Sequence, residues 1–165
     1  MPIEPKVSKQ LKDWFTNAER VVIAGIGNPI RSDDFVGTKI VQDLAGKVSA
    51  NVRLIECETV PESYILDIEQ FKPSHVLLID AALLDLKSGE AKLLAPEQVA
   101  GYSAVSSHVL PLRVFSDYLR ESTGAKVALL LIQPKNLEFG EGLSSELQVA
   151  SKELAGLLLD LLSSI

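Results

Sequence analysis

Apolar residues run along this chain in two rhythms. The run 74–81, with His75-Val76-Leu77-Leu78-Ile79 at its centre, is continuous and reads as a strand buried on both faces. A second apolar run, Val21-Val22-Ile23-Ala24, lies in a strand over 20–25, and further strands are expected over 51–57 and 126–133. Between these runs the apolar positions recur at helical spacing. Residues 7–17 form a short amphipathic helix with Leu11, Trp14 and Phe15 in step, and 34–46 a helix with Val36, Ile40, Val41 and Leu44 inward. A helix over 61–71 opens with Pro61 in its first turn, where the missing N–H costs nothing. Another covers 108–122, and a long one covers 145–163 with Leu147, Ala150, Leu154, Leu157, Leu158 and Leu161 as its buried stripe.

Strands alternating with helices predict an α/β fold, a three-layer αβα sandwich around a twisted, mainly parallel sheet of about five strands, with helices on both faces. A short strand over 90–94 follows the turn Lys87-Ser88-Gly89 too closely for a helical crossover, so it is expected antiparallel and at an edge. No repeat, low-complexity tract or linker divides the chain. It reads as one domain over 1–165, with 1–19 as an N-terminal helical extension.

Composition narrows the function. The formal net charge is -6, which disfavours nucleic acid as the main partner, because phosphate neutralisation needs clustered Lys and Arg. No apolar run reaches the length of a membrane span, and residues 1–20 lack a signal-peptide core, so no membrane insertion and a cytoplasmic location are expected. Cys57 is the only cysteine, which rules out an intrachain disulfide and a Cys-based zinc site.

The densest chemistry lies in Gly25-Ile26-Gly27-Asn28-Pro29-Ile30-Arg31-Ser32-Asp33-Asp34-Phe35-Val36-Gly37, a glycine-rich turn that leaves a strand and brings two carboxylates to a helix start. In open α/β sheets ligands bind outside the carboxyl ends of the strands. Acids there suit a metal or acid/base chemistry and repel a phosphate. Ile30 also stands where a dinucleotide fingerprint needs its third glycine. Either Asp33 or Asp34 can instead cap the helix, leaving the other to point outward. Asp80 ends the apolar run at the same kind of rim, where it serves as a ligand or as a turn-forming residue bonded to its own backbone. His108 lies at or just before a helix start, with Pro111 in the first turn and Ser106 or Ser107 available to cap. His75, at the opposite end of its strand from Asp80, reads as a surface residue. Asp34, Asp80 and His108 should converge on one rim, and two carboxylates with one imidazole suit a borderline divalent metal with open positions.

In sequence order the chain also carries Ser32-Asp33-Asp34 with Gly37 after Gly25-Ile26-Gly27-Asn28, then Leu77-Leu78-Ile79-Asp80-Ala81, then Ser107-His108 with Pro111-Leu112, then Ile132-Gln133-Pro134, and later Gly140 and Leu143-Ser144. In this ordered set, from about Arg20 onward, it resembles the maturation endopeptidases of nickel–iron hydrogenases. The resemblance implies an aspartic-type endopeptidase that removes the C-terminal extension of the large-subunit precursor after nickel insertion. It implies Asp34, Asp80 and His108 as nickel ligands, Asp34 and Asp80 as the catalytic acids, and Gly27, Asn28 and Asp33 as substrate-binding positions. The nickel would arrive with the substrate, and zinc or cadmium could substitute. Gly25-Ile26-Gly27-Asn28-Pro29 also resembles the opening of peptidyl-tRNA hydrolases. There a catalytic His follows in an Arg-His-Asn motif, whereas here Arg31 leads into Ser32-Asp33-Asp34. The remaining alternative is a non-catalytic metal- or nucleotide-binding module.

Overall fold

The computed structural model describes residues 3–101 and 109–165. Five strands form one sheet: β1 Val21–Ile26, β2 Val52–Glu58, β3 His75–Ala81, β4 Ala91–Leu94 and β5 Lys126–Ile132, in the order β2-β1-β3-β5-β4. Pairs β1–β2, β1–β3 and β3–β5 are parallel, and β4 runs antiparallel to β5 at the edge, as the short 87–89 turn requires.

Successive side chains on the central strands go to opposite faces, and each face has its own helices. Val21, Ile23, Leu77, Ile79, Leu130 and Ile132 pack beneath α1 (Pro5–Trp14), α2 (Val36–Leu44) and α5 (Ser145–Leu162). Val22, Ala24, Ile26, Val76, Leu78, Leu129 and Leu131 pack beneath α3 (Ile65–Phe71) and α4 (Val109–Thr123). This is the expected αβα sandwich. The N-terminal helix belongs to it, since Val7, Leu11 and Phe15 are buried in the first of these cores.

Three details depart from the sequence reading. Both helices expected to start with acids or proline begin as 3-10 turns, Ser32–Phe35 before α2 and Pro61–Tyr64 before α3. On α5 the buried stripe is Leu147, Ala150, Ser151, Leu154, Ala155, Leu158 and Leu162, while Leu157 and Leu161 are only half-buried. Finally, His75 is not a surface residue: it is 3% exposed. The Trp14 ring meets it edge-on at 5.0 Å, and its Nδ1 lies 2.9 Å from the Ser74 hydroxyl. Helix α1 folds over the entry end of β3, and the sequence around His75 carries no sign of that distant cover. No described helix is long and apolar enough to cross a membrane.

Candidate active site

The strand order places a topological switch point between β1 and β3. The chain leaves β1 through α2 on one face, toward β2. It leaves β3 toward β5, through β4 and then α4 on the other face. The connections diverge there, at the carboxyl ends of the strands, which is the position where α/β folds bind ligands. Asp34 follows β1 and Asp80 lies near the end of β3, so both acids stand on this rim.

Glycines bring the rim together by backbone contact. A Cβ at Gly37 would collide with the carbonyl of Ile79, the residue before Asp80, and with that of Ile26. A Cβ at Gly27 would collide with the carbonyl of Asp34. The glycines thus seat the start of α2 directly on β1 and β3.

The two neighbouring acids have different tasks. Asp34 is 3% exposed, and its Oδ2 accepts the Asn28 N–H at 3.0 Å. The Asn28 side chain in turn accepts the Ile30 N–H at 3.0 Å, which shapes the turn. Asp33 is fully buried. Its Oδ2 accepts the N–H groups of Lys135 and Asn136, both at 2.9 Å, and the Ser144 hydroxyl at 2.8 Å; its Oδ1 accepts the Ser144 N–H at 2.7 Å. Neither acid makes a side-chain cap to the 3-10 turn or to α2. The capping alternative is therefore replaced by a clamp that reaches across the molecule to the loop after β5.

That loop is bound to the turn along its length. Ser32 donates from its N–H to the Gly140 carbonyl and from its hydroxyl to the Glu138 carbonyl, and the Asp33 N–H donates to the Asn136 carbonyl. Arg31 Nε donates to the Leu137 carbonyl, and the Gly140 N–H to the Ile30 carbonyl. These bonds hold Ser32 at φ 49, a left-handed conformation that an L-residue adopts only when its surroundings compel it. Gln133 plays a similar part on the other side. Its Oε1 accepts the N–H groups of Leu84 and Leu86 and ties down the loop after β3. The sequence reading assigned no role to Gln133; a buried amide just past a strand end was the available signal.

Asp80 is fully buried, and its Oδ1 accepts the Ala81 N–H at 2.8 Å. Its negative charge reaches Cys57, whose thiol is pushed up to about 12, first by burial and then by Glu62 and Asp80. Such a thiol stays protonated and is no nucleophile. His108 lies outside the described residues. Among those described, no three His, Cys, Asp or Glu side chains form a metal-binding group. The expected ligand set depends on His108 as its third member. His75 sits at the entry end of β3, away from the acids.

The sequence model of the hydrogenase maturation proteases matches residues 38–161. A protein of Methanocaldococcus jannaschii assigned to the hydrogenase maturation proteases is 32% identical over 167 residues, spanning 96% of this chain and 98% of its own. The hydrogenase 3 maturation protease of Escherichia coli K12 is 30% identical over 118 residues, spanning 72% and 75%. Among solved structures, the nickel–iron hydrogenase maturation protease HycI of Thermococcus kodakarensis superposes with a TM-score of 0.86 at 35% identity, over 93% of this chain and 99% of that one.

Proposed function

From the premise that this chain belongs to the hydrogenase maturation proteases, and is a peptidase, we propose that it removes a C-terminal segment from the precursor of a nickel–iron hydrogenase large subunit. Nickel bound in that precursor is recognised by Asp34, Asp80 and His108. The observation that carries this reading is the pair Asp34 and Asp80, two buried carboxylates at the carboxyl ends of β1 and β3, each oriented by a backbone N–H. Burying carboxylates is costly, and a cation arriving with the substrate offsets that cost.

The nickel belongs to the substrate. Two carboxylates and an imidazole are borderline ligands, so zinc or cadmium can take its place. Three ligands make a weaker, more exchangeable site than a closed four-ligand one. An enzyme that tests its substrate for nickel needs that weakness, since tightly held metal of its own would block the docking signal. Hydrolysis then requires a base beside the scissile carbonyl. One of the two carboxylates takes a proton from water as the water adds to the carbonyl carbon, and a proton passes to the amine as the C–N bond breaks. In the second route, Asp34 and Asp80 share one proton and activate water as an acid pair. A cytoplasmic setting accords with the free thiol of Cys57.

The test is to incubate the protein, freed of metal, with nickel-loaded and nickel-free precursor, and to read cleavage by intact mass. Cleavage confined to the loaded precursor is expected. Equal cleavage of both overturns nickel recognition and favours the acid pair. Cleavage of neither overturns the substrate assignment.

A further inference from the structure

The geometry points to the outer edge of β4 as a docking site for an extended, basic segment of a partner protein, which adds to the sheet as a further strand and seats an apolar side chain in the cavity beside it.

The backbone supplies the first half of the site. β4 pairs antiparallel with β5, Ala91 opposite Ile132 and Leu93 opposite Leu130. The Gln133 N–H donates to the Glu90 carbonyl, toward β4, whereas the Ile132 carbonyl is turned toward β3 and accepts the Ala82 N–H. Backbone groups alternate in direction along a strand. Lys92 and Leu94 therefore face β5, and the N–H and C=O groups of Ala91 and Leu93 point away from the sheet. Among the described residues no strand lies beyond β4, and no hydrogen bond engages these outward groups. Ala91 and Leu93 are only half-buried. Such a row of unpaired groups is a template for another strand.

The cavity supplies the second half. About 410 Å³ of space lies where β4 begins, between residues 87–91, the start of α1 and the first turns of α5. That volume suits a bound side chain and its neighbours. Val7, Val149, Ala150 and Leu154 form its apolar wall, and Val149 is 43% exposed. In strand addition the main chain gives affinity, and pockets for alternate side chains give specificity. Here edge and pocket share a residue, since Ala91 lines the cavity. Charge then selects the occupant. Glu4, Glu90, Glu146 and Glu153 line the cavity against one cation, Lys87. Lys135 pairs with Glu146 from outside at 2.8 Å, which leaves the lining acidic. A carboxylate that already holds one partner keeps lone pairs for another. The fitting segment carries Lys or Arg on either side of an apolar residue. The site uses neither the rim acids nor a metal, so it stands or falls apart from the cleavage reading.

The test is fluorescence anisotropy of the intact protein with a labelled peptide in which valine and threonine alternate between pairs of lysines, with amide exchange along β4 measured in parallel. The bound peptide should slow exchange at Ala91 and Leu93, and leave Lys92 and Leu94, which face β5, unchanged. Val149→Lys places a cation on the apolar wall and should weaken binding about tenfold, the loss expected of one interface anchor. Ala91→Pro removes an outward N–H without touching the ladder to β5, and should weaken binding by a similar factor. Should Ala91→Pro not fold, a peptide N-methylated at alternate residues removes the same main-chain bonds from the other side. Binding should also weaken as salt is raised. No saturable binding of the lysine peptide, or wild-type affinity in Val149→Lys, would overturn the proposal. Equal affinity for a peptide ending in glutamates would overturn its charge selection, and equal affinity for the N-methylated peptide its strand addition.

Discussion

Gly37→Ala separates two opposed effects at the base of the site. In an ordinary helix the change is favourable by about 0.5–1 kcal/mol, because glycine loses more backbone entropy on folding. Here the new methyl would meet the carbonyls of Ile79 and Ile26, which are backbone atoms of two central strands with no flexible end to swing aside. Overpacking a fixed wall costs about 1–3 kcal/mol, and contact with backbone from two strands belongs at the upper end. The net is a loss of about 1–2 kcal/mol. For a chain of this size that lowers Tm by roughly 2–8 °C. The only relief is for α2 to lift, and Asp34 lifts with it, away from the end of β3. A displacement near 1 Å at a reacting group can cost about a hundredfold in rate. Thermal unfolding and cleavage of nickel-loaded precursor give the two readouts. Gly156→Ala is the control: Gly156 lies in α5 with nothing within 4 Å of a Cβ, so Tm should rise by about 1–4 °C and cleavage should not change. A Gly37→Ala variant that gains stability as the control does, or that keeps wild-type kcat/KM, would refute the reasoning.

Asp34→Asn and Asp80→Asn should each lower kcat by at least about a hundredfold, with the folded state retained by circular dichroism; full activity in either removes that acid from the chemistry. His75→Ala should cost about 2 kcal/mol through loss of the Trp14 contact and a small cavity, while cleavage below Tm is unaffected. Burial, then Lys126, lowers the pKa of His75, so the unfolded chain takes up this proton first. Its share of stability is therefore complete above about pH 6.5 and is lost as pH falls through the folded value, and His75→Ala should flatten the fall of Tm between pH 7 and 5. Cys57, with its thiol near 12, is ionised to about one part in ten thousand at pH 8, so iodoacetamide should label it only after unfolding; rapid labelling of the native protein would contradict its burial.

The elements of the fold were legible because their signals are local. Continuous apolar runs marked β1 and β3, and the short turn at 87–89 settled the antiparallel edge strand β4. What sequence could not resolve depended on partners far along the chain. The expected stripe on α5 includes Leu158 correctly, but it takes in Leu157 and Leu161, which are only half-buried, and leaves out Leu162, which is buried; only packing against the sheet chooses between such neighbours. His75 looked exposed because its cover, Trp14, comes from a helix that nothing near residue 75 announces. Asp33 is the most instructive case. An acid before a helix is commonly a cap, and local reasoning offered no other structural role. Its four donors lie 102 to 111 residues away. The adjacent pair Asp33-Asp34 thus divides two tasks that one acid could not perform together. A carboxylate saturated by four fixed hydrogen bonds is poorly suited to receive a cation or a proton, and one that must exchange partners during a reaction is poorly suited to hold a loop. Placing both in consecutive positions of a single 3-10 turn lets the clamp fix the direction of its neighbour, so the rigidity of Asp33 becomes the alignment of Asp34.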